Sequence, residues 1–404
     1  MKILFITDNF PPEVNAPATR TYEHCMEWKK TQDVEITIIT CAPNFPHGKV
    51  YEGYANRFYQ TETIEGIRVI RLWSYMTSNK GFTKRVLDYL SFAFMAFFAG
   101  ILIKHDVVIA TSPQFFTTWA AWAISRVRRT PWIFELRDIW PASIKTVGAM
   151  DQGLVMNFLT KIELGLYKDT AKVIAVTDAF KTELIARGID AQKIDVVTNG
   201  SNLELFAPRD KDAFLLQTLH LEHKFIIGYI GTHGLAHKLD FIVRSIAAIE
   251  DKEIHFLFIG DGAEKAKVVQ LAQTLSLHNI TFLDAISKDQ VPQYLSIIDV
   301  SLAPLKKSET FKSVIPSKIF EASAMRKPTL LGVEGQAQQI VERYGAGICF
   351  EPENETDFIA KVTALKNDTL LYRHCMEGCD KLAHHFDRKL LAAKMLQSII
   401  SVIK

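Results

Sequence analysis

The chain has 404 residues, which is enough for two or three domains that each bury a core of their own. Hydrophobic residues make up 48% of the chain and charged residues 23%, so the composition excludes a disordered protein. A formal net charge of +2 gives no indication of nucleic-acid binding. The five cysteines are scattered without metal-ligand spacing, which predicts reduced thiols in a cytosolic protein.

The first predicted element is a buried strand in MKILFITD, a run that Asp8 interrupts too early for a signal peptide. Similar apolar runs recur along the chain and alternate with helical patterns. Because these runs are continuous, they predict strands covered on both faces, as in parallel sheets. They form two series: KILFITD, VEITIIT, IRVIRLW, DVVIATS, WIFELRD, KVIAVT and IDVVTNG, then FIIGYIG, IHFLFIG, ITFLDA, VSLAPL, PTLLGV and AGICF.

Two such series are too many strands for one ordinary sheet. The sequence therefore predicts an α/β protein with two doubly wound, Rossmann-like parallel-sheet domains that face each other across a cleft. Asn, Gly, Ser and Pro cluster in TNGSNLELFAPRD, as is typical of a linker. The predicted domains are residues 1–203, joined by a C-terminal amphipathic helix at about residues 386–404, and residues 204–385.

The loop after the first strand, NFPPEVNAPATR, places Glu13, Asn15 and Ala16 before a helix. Ligands of open α/β sheets bind outside the carboxyl ends of the strands. The backbone N–H groups of this loop are therefore candidates for binding an anion or a sugar hydroxyl. The alternative interpretation is an ordinary proline-rich connection.

The segment Tyr89–Ile103 carries no charged residue over 15 positions, which is shorter than the roughly 20 needed to span a bilayer. Helices on a parallel sheet normally keep a polar face, whereas phenylalanines occupy much of this one. The pattern favours an in-plane membrane anchor over a buried core helix. Basic residues flank the segment and follow it in the next helix: Lys80, Lys84, Arg85, Lys104, Arg126, Arg128 and Arg129.

A charge pair follows the predicted strand in FELRDIWPAS. Arg137 and Asp138 lie at the carboxyl end of this strand, where side chains of such sheets face the ligand. We interpret Asp138 as an acceptor of sugar hydroxyl hydrogen bonds and Trp140 as a stacking surface. The alternative is a local salt bridge beside a packing tryptophan.

Two strand–glycine loop–helix units follow, GYIGTHGLAHKLDFI and LFIGDGAEKAKV. Gly231 and Gly262 would allow a phosphate to approach the backbone closely. Neither loop has the dinucleotide pattern G-x-G-x-x-G or the P-loop pattern, so neither an oxidoreductase nor a P-loop ATPase is supported. Leu283, at the end of the next predicted strand, borders the same edge.

The stretch SVIPSKIFEASAMRKPTLLGVEG predicts a helix that starts near Pro316 or Ser317 and leads into a buried strand. Lys318 adds a full positive charge suited to a diphosphate. Glu321 lies one turn further, on the same helix face, and a carboxylate there can bind both hydroxyls of a ribose. The alternative is a Lys–Glu pair on a surface helix. No metal site is predicted, since no D-x-D follows a strand and no His/Cys cluster occurs.

These motifs resemble those of family-4 retaining glycosyltransferases with the GT-B fold. The similar segments are VTDAFKTELIARGIDAQKIDVVTNGSNLELFAP, FIGDGAEK, VIPSKIFEASAMRKPTLL and GAGICFEPENETDFIAKV. The N-terminal features NFPPEVNAPATRTYEH, APNFPHGKVYEGYANRF and LRDIWPAS are similar to a subgroup typified by N-acetyl-fucosamine transferases of bacterial surface polysaccharides.

The chain departs from the family pattern at several positions. The first glutamate of the usual Glu-x7-Glu pair is Ser313, and Glu321 is the second. The usual arginine and lysine of the first C-domain loop are Thr232 and His237, with Lys238 adjacent. Lys318 is the candidate that would compensate for these two missing cations. Arg137 replaces a histidine, and Asn15-Ala16 replaces Gly-Gly.

The resemblance implies a retaining, metal-independent hexosyltransferase without a cofactor. The expected donor is a nucleotide diphosphate sugar, UDP-linked and carrying an N-acetylated deoxy sugar. The expected acceptor is a lipid-linked oligosaccharide of O-antigen or capsule synthesis at the inner face of the cytoplasmic membrane. Catalysis is assigned to Asp138, Arg137 and Lys318. The alternatives are a GT-B nucleotide-sugar 2-epimerase and a non-catalytic GT-B scaffold.

Overall fold

The structure is a computed structural model that describes residues 1–45, 48–77, 82–112, 115–139 and 154–403. The chain forms two compact units, Met1–Thr198 with Lys389–Lys404, and Asn199–Arg388. Both boundaries differ by a few residues from the predicted ones. Residues 199–203 belong to the second unit because Ser201 pairs there: its N–H donates to the Phe386 carbonyl at 3.1 Å.

A single sheet organises the first unit. Among the described residues its strands are β1 (Lys2–Ile6), β2 (Glu35–Cys41), β3 (Tyr59–Ile64), β4 (Ile67–Leu72), β5 (Val107–Thr111), β6 (Trp132–Leu136), β7 (Lys172–Ala175) and β8 (Ile194–Val196). The order is β3-β4-β2-β1-β5-β6-β7-β8. All neighbouring pairs except β3 and β4 are parallel. The strand order reverses direction at β1, which lies between β2 and β5 and is therefore the switch point of the sheet.

Strand β3 is absent from the predicted strands. It is an antiparallel edge strand whose side chains alternate between exposed and half-buried, so it lacks the continuous apolar run of its neighbours. Glu65 and Gly66 connect it to β4, and both have positive φ angles, 49° and 78°. Alternation followed by a Glu-Gly turn is a hairpin signal that the sequence does contain.

Helices cover both faces of this sheet. They are α1 (Ala16–Lys29), α2 (Phe82–Leu102), α3 (Phe115–Arg128), α4 (Leu154–Asp169) and α5 (Asp178–Ala186). Helices α2 to α5 pack on one face and α1 on the other. Continuous burial of the central strands follows from this arrangement, because each of their side chains meets a helix layer on one side of the sheet.

The second unit has the same layered plan. Its strands are β9 (Phe225–Ile230), β10 (Ile254–Ile259), β11 (Ile280–Leu283), β12 (Val300–Pro304), β13 (Thr329–Gly332) and β14 (Gly347–Cys349), in the order β11-β10-β9-β12-β13-β14. Its helices are α6 (Ala213–Leu219), α7 (Leu239–Ile246), α8 (Lys265–Thr274), α9 (Val291–Ile297), α10 (Lys318–Ala324), α11 (Gln336–Tyr344), α12 (Glu355–Asn367) and α13 (Thr369–His385).

All five strand pairings of the second sheet run parallel, and β9 lies at the switch point between β10 and β12. The last helix, α14 (Arg388–Ile400), packs on the face of the first sheet that also carries α1. The predicted architecture of two doubly wound α/β units is thereby confirmed. The carboxyl end of each sheet at its switch point is where a ligand site is expected.

Candidate functional site

Two loops at the carboxyl edge of the second sheet pack tightly against each other. Gly260, after β10, has a φ of 146°, and an added Cβ would lie 1.9 Å from the carbonyl oxygen of Gly231 after β9. Gly262 has a φ of 155°, and a Cβ there would lie 2.5 Å from the carbonyl oxygen of His233. Both positions therefore require glycine, and the two loops form one continuous backbone surface beside β9.

Lys318, the first residue of α10, reaches this surface. Its Nζ lies 3.7 Å from the ring centroid of Tyr229, a residue of β9. A Cβ added to Gly231 would lie 3.2 Å from the same nitrogen, so the amine is close to the loop backbone. Lys318, the predicted replacement for the cations missing at Thr232 and His237, therefore lies beside the first glycine loop.

The Lys318 amine is in an unusual electrostatic state. Among the described residues it has no hydrogen-bond partner, although its nitrogen is shielded from solvent. Burial lowers the pKa of Lys318 to about 7, and the nearby Glu321 carboxylate only partly opposes that shift. A buried amine normally has a hydrogen-bond or ion-pair partner, so one whose described contact is the face of the Tyr229 ring marks a place where an anion would be stabilised.

Two histidines that were not among the predicted site residues, His233 and His237, lie close to Lys318. His233 is fully buried between the rings of Tyr229 and Phe258, and neither of its ring nitrogens has a hydrogen-bond partner in the described part of the chain. His237 packs edge-on against Tyr229 and leaves its Nδ1 similarly unpaired. Burial lowers the pKa of both imidazoles to about 4, helped by the charge of Lys318, so both are neutral at pH 7.

Glu321 is not paired with Lys318. Its carboxylate instead forms an ion pair with Lys288, which lies in the loop after β11. Both side chains are about three-quarters buried, with exposed fractions of 21% and 26%. The surface Lys–Glu pair considered above as an alternative is therefore absent. Lys288 was missed, and its only sequence signal is its place in a strand-end loop.

The remaining donor-side positions are spread along the same edge. Thr232 is exposed in the first glycine loop, and its carbonyl accepts the Tyr229 hydroxyl at 2.5 Å. Lys238 forms an ion pair with Asp240 at 3.2 Å, and the carboxylate partly neutralises the charge of Lys238. The Leu283 carbonyl accepts a hydrogen bond from Lys265 at 3.1 Å.

Three predicted residues precede or begin the signature helix. Ser313 ends a short 3-10 helix, and its hydroxyl donates to the Thr310 carbonyl at 3.1 Å. Pro316 and Ser317 lead directly into α10, which has seven residues, or about two turns. The helix start and the Lys318 side chain are the two predicted sources of positive charge at this place.

In the first unit, Arg137 and Asp138 follow β6 at its carboxyl end. The backbone N–H groups of both residues donate to the Ser112 hydroxyl, at 2.8 and 3.3 Å. The Arg137 guanidinium donates to the Pro17 carbonyl at 3.2 Å, which ties this strand end to the start of α1. Trp140 lies outside the described residues.

The predicted acceptor-side loop has clear structural contacts. Glu13 is buried, and its carboxylate accepts the backbone N–H groups of Asn44 and Phe45 at 2.9 and 2.8 Å. Asn15 caps α1 by accepting the Ala18 N–H at 3.0 Å, and Ala16 is the first residue of that helix. Burial raises the pKa of Glu13 against the effect of these hydrogen bonds.

Two buried polar contacts at the same edge were not predicted. Arg20 and Glu135 form an ion pair at 2.8 Å with both side chains 1% exposed, and the guanidinium also donates to the Thr198 carbonyl at 2.5 Å. Burial alone would raise the pKa of Glu135, but Arg20 and Arg137 lower it. Asp8 accepts the Thr117 hydroxyl at 2.8 Å, and burial raises its pKa well above the usual range.

The described residues contain no group of three or more His, Cys, Asp or Glu side chains placed to hold a metal ion. All five cysteines are free thiols.

Helix α2 leaves much of its apolar surface uncovered. Phe92 and Ala96 are buried against the sheet, whereas Phe94 is 63% and Phe98 48% exposed. Within the described residues, Lys84–Leu102 is the one helix that is long and apolar enough to cross a membrane, but the same span packs on α3 and the sheet. Of the flanking basic residues, Lys84, Arg85 and Lys104 are exposed, and Lys80 lies outside the described residues.

Two family models match the chain in tandem. Residues 16–200 match the family described as "Glycosyl transferase 4-like domain", and residues 210–381 match "Glycosyl transferases group 1". A protein of Escherichia coli (strain K12), named as a colanic acid biosynthesis glycosyl transferase, WcaI, is 26% identical over 387 residues, which cover 93% of each chain. A Bacillus subtilis (strain 168) protein named as a teichuronic acid biosynthesis glycosyltransferase, TuaH, is 26% identical over 56% of each chain.

Solved structures share the fold at low sequence identity. Anabaena Alr3699/HepE superposes with a TM-score of 0.75 at 16% identity, covering 99% of this chain and 100% of that one. The sucrose-phosphate synthase of Thermosynechococcus elongatus gives a TM-score of 0.76 at 16% identity, covering 99% and 98%. The chain therefore carries a glycosyl transferase 4-like domain followed by a glycosyl transferases group 1 domain, and its fold is GT-B.

Proposed function

We propose that this glycosyltransferase is a retaining enzyme that moves a sugar from a UDP-linked donor to a lipid-linked oligosaccharide during synthesis of a bacterial surface polysaccharide. The proposed donor sugar is an N-acetylated deoxy sugar, as in the N-acetyl-fucosamine transferase subgroup. The names of the two relatives, which refer to colanic and teichuronic acid biosynthesis, support a surface-polysaccharide acceptor of the O-antigen or capsule type.

The observation that carries the donor site is the buried, unpaired amine of Lys318 beside the two glycine loops. A diphosphate placed there would pair with the ammonium group and with loop N–H groups. Because the site is shielded from water, such contacts are stronger than they would be at the surface. The related HepE structure contains UDP and glucose, which supports UDP as the nucleotide.

Glu321 would hold the ribose hydroxyls. In the structure its partner is Lys288, so donor binding would replace or share that ion pair. The charge on Lys288 would then remain close to the nucleotide, where it could face a phosphate. Lys288 is thus a further candidate for the cations missing at Thr232 and His237.

We expect Glu321→Ala to weaken UDP binding by about 10- to 100-fold, because a hydrogen bond to a charged group contributes roughly 1.5–3 kcal/mol. Isothermal titration calorimetry measures the affinity, and circular dichroism checks the fold. The matched control is Glu253→Ala, which removes an ion pair with Lys366 at the opposite edge of the same sheet. Unchanged UDP affinity in Glu321→Ala would contradict the ribose assignment.

The reaction would proceed without a metal ion. The bond between the anomeric carbon and the diphosphate breaks, the acceptor oxygen bonds to that carbon from the same face, and the acceptor proton passes to the departing phosphate oxygen. Lys318 stabilises the developing diphosphate charge, which is the main source of catalysis in this scheme. Asp138 and Arg137, in the first unit, would bind the transferred sugar and the acceptor.

The localisation we propose is the inner face of the cytoplasmic membrane, reached through Tyr89–Ile103. Exposed phenylalanines of α2 would enter the interface, and each basic residue near an anionic bilayer adds about 1 kcal/mol. The lipid-linked acceptor would be found at the same surface.

We expect the wild-type protein to sediment with anionic liposomes and a Phe94→Glu/Phe98→Glu double variant to remain in the supernatant. The variant replaces two exposed phenylalanines by carboxylates, which the anionic lipid surface repels. Phe214→Glu/Leu370→Glu is the matched control, since these side chains of the second unit are 76% and 75% exposed. Equal sedimentation of wild type and the double variant, or none by the wild type, would exclude this anchor.

The function itself is tested in two steps. A thermal-shift screen of nucleotide sugars identifies the donor, because a ligand that binds only the folded state raises its melting temperature. UDP release is then measured with and without lipid-linked acceptor. Release that requires the acceptor supports transfer, epimerised donor without transfer would identify a 2-epimerase, and donor binding without turnover would identify a scaffold.

A further inference from the structure

A groove of about 570 Å³ runs along α2 on the first unit, within the size range of small-molecule sites. One wall is a stripe of α2 in which Met95, Phe98, Ala99 and Leu102 recur at helical spacing. The floor comes from strands β1, β2 and β4, and Phe58 and Tyr59 at the start of β3 close one end. The groove is separate from every residue assigned above to the reaction.

The other end of the groove is basic. Lys2 and Glu35 pair there at 2.9 Å and largely cancel each other's charge. Arg68 and Lys104 also line it, both are exposed, and neither has an ion-pair partner among the described residues. Two uncompensated positive charges therefore lie at the end where β1, β2 and β4 begin.

The apolar part continues from that basic end. Leu72 and Phe58 lie toward the other end of β4, four residues beyond Arg68, or about 13 Å at strand rise. Met95 to Leu102 extends over about 10 Å of the helix wall. The Leu102 side chain is 84% exposed, so the groove opens at the same apolar surface as Phe94 and Phe98. Its ligand would have an anionic head and a hydrocarbon tail.

We propose that this groove binds one anionic glycerophospholipid of the bulk membrane, with its phosphate between Arg68 and Lys104 and part of one acyl chain along α2. This proposal depends on the membrane attachment proposed above in one respect, because the membrane would be the source of the lipid. The basic end lies at the amino edge of the parallel strands, opposite the carboxyl edge that carries Asp8 and Arg137. A bulk lipid fits this position better than the reacting end of an acceptor.

The test uses water-soluble, short-chain lipid below its micelle concentration, so that binding does not require a bilayer. We expect the full-length protein to bind dioctanoyl phosphatidylglycerol saturably, and at least tenfold more tightly than dioctanoyl phosphatidylcholine or glycerol phosphate. Native mass spectrometry gives the stoichiometry, and calorimetry gives the affinity. Geranyl phosphate, which has a prenyl tail, is the competing ligand.

An Arg68→Glu/Lys104→Glu variant is expected to lose at least tenfold in affinity for phosphatidylglycerol, and so is Leu102→Asp at its exposed position. The matched controls are Lys161→Glu/Lys252→Glu and Val127→Asp, which change exposed residues outside the groove and should bind as wild type does. Equal binding of both phospholipids, unchanged binding by the groove variants, or tighter binding of geranyl phosphate would overturn the proposal. Monomeric lipid binding with failed liposome sedimentation would instead exclude only the anchor.

Discussion

Replacing Lys318 by methionine is expected to weaken UDP binding at least about 30-fold, because losing one partner of a buried charged contact costs about 2–5 kcal/mol. The same substitution should leave the melting temperature at pH 7 equal to or above that of wild type. A buried amine without a hydrogen-bond partner among the described residues opposes folding in the absence of ligand, and methionine has a similar shape without that charge. Calorimetry with UDP and a melting curve measure the two effects.

Weaker UDP binding together with an unchanged or higher melting temperature distinguishes a binding residue from a structural one. A residue that holds the fold together lowers stability and affinity together when it is removed, whereas a preorganised ligand contact lowers affinity alone. The matched control is Lys327→Met. Lys327 is a half-buried lysine of the second unit whose pKa burial also lowers, to about 8, but its amine donates to the Ser296 carbonyl at 2.9 Å. We expect Lys327→Met to bind UDP as wild type does and to melt lower. Loss of stability without loss of affinity in Lys318→Met would refute the donor-site assignment.

The fold is largely readable from the sequence, because the strands at the centre of each sheet are buried on both faces and appear as continuous apolar runs. Each predicted run contains a strand of the structure. Among the described strands, β3 is the one that no predicted run covers. It is an edge strand with one exposed face, so hydrophobicity is a weak signal for it. The boundary between the units also escaped exact prediction, since it depends on pairing of Ser201 with residues almost two hundred positions away.

The candidate site was predictable only in part. Lys318 and Glu321 lie in one short motif, so spacing alone places them together. Lys288 lies 33 residues before Glu321 and meets it only through the packing of the β11 loop against α10. His233 looks like a loop residue in sequence, and its burial follows from the close packing of the two glycine loops. Contacts of this kind depend on tertiary structure, and no local pattern encodes them.

The pH dependence of donor binding follows from the charge state of Lys318. Its pKa of about 7 in the free protein lies below the ordinary 10.5, so the amine loses its proton as the pH rises above 7. A bound diphosphate would hold the proton on the amine. UDP affinity should therefore fall as the pH rises above 7, by about tenfold between pH 7.5 and 8.5, because each unit above the free pKa costs nearly one factor of ten.

The neighbouring groups do not produce the same profile. His233 and His237 have a pKa of about 4 and are already neutral throughout this range, and burial raises the pKa of Tyr229 above its ordinary 10. Glu321 is held in its ion pair with Lys288, and Lys265 in one with Asp284 at 2.6 Å. Among these groups around the site, the charge that changes between pH 7 and 8.5 is accordingly the one on Lys318. Lys327 also titrates in this range, with a pKa of about 8, but its amine donates to the Ser296 carbonyl and is not one of the groups around the glycine loops.

The same linkage predicts proton uptake. Calorimetry in buffers of different ionisation enthalpy should record close to one proton taken up per UDP at pH 8.5, where the terminal phosphate of UDP is already fully ionised. Folding stability should rise with pH between about 7 and 10.5, because the unfolded chain binds the Lys318 proton more tightly than the native state does. Lys327→Met should keep the proton uptake, and Lys318→Met should lose it. Tight UDP binding by wild type with no uptake at pH 8.5 would mean that the diphosphate does not contact this amine.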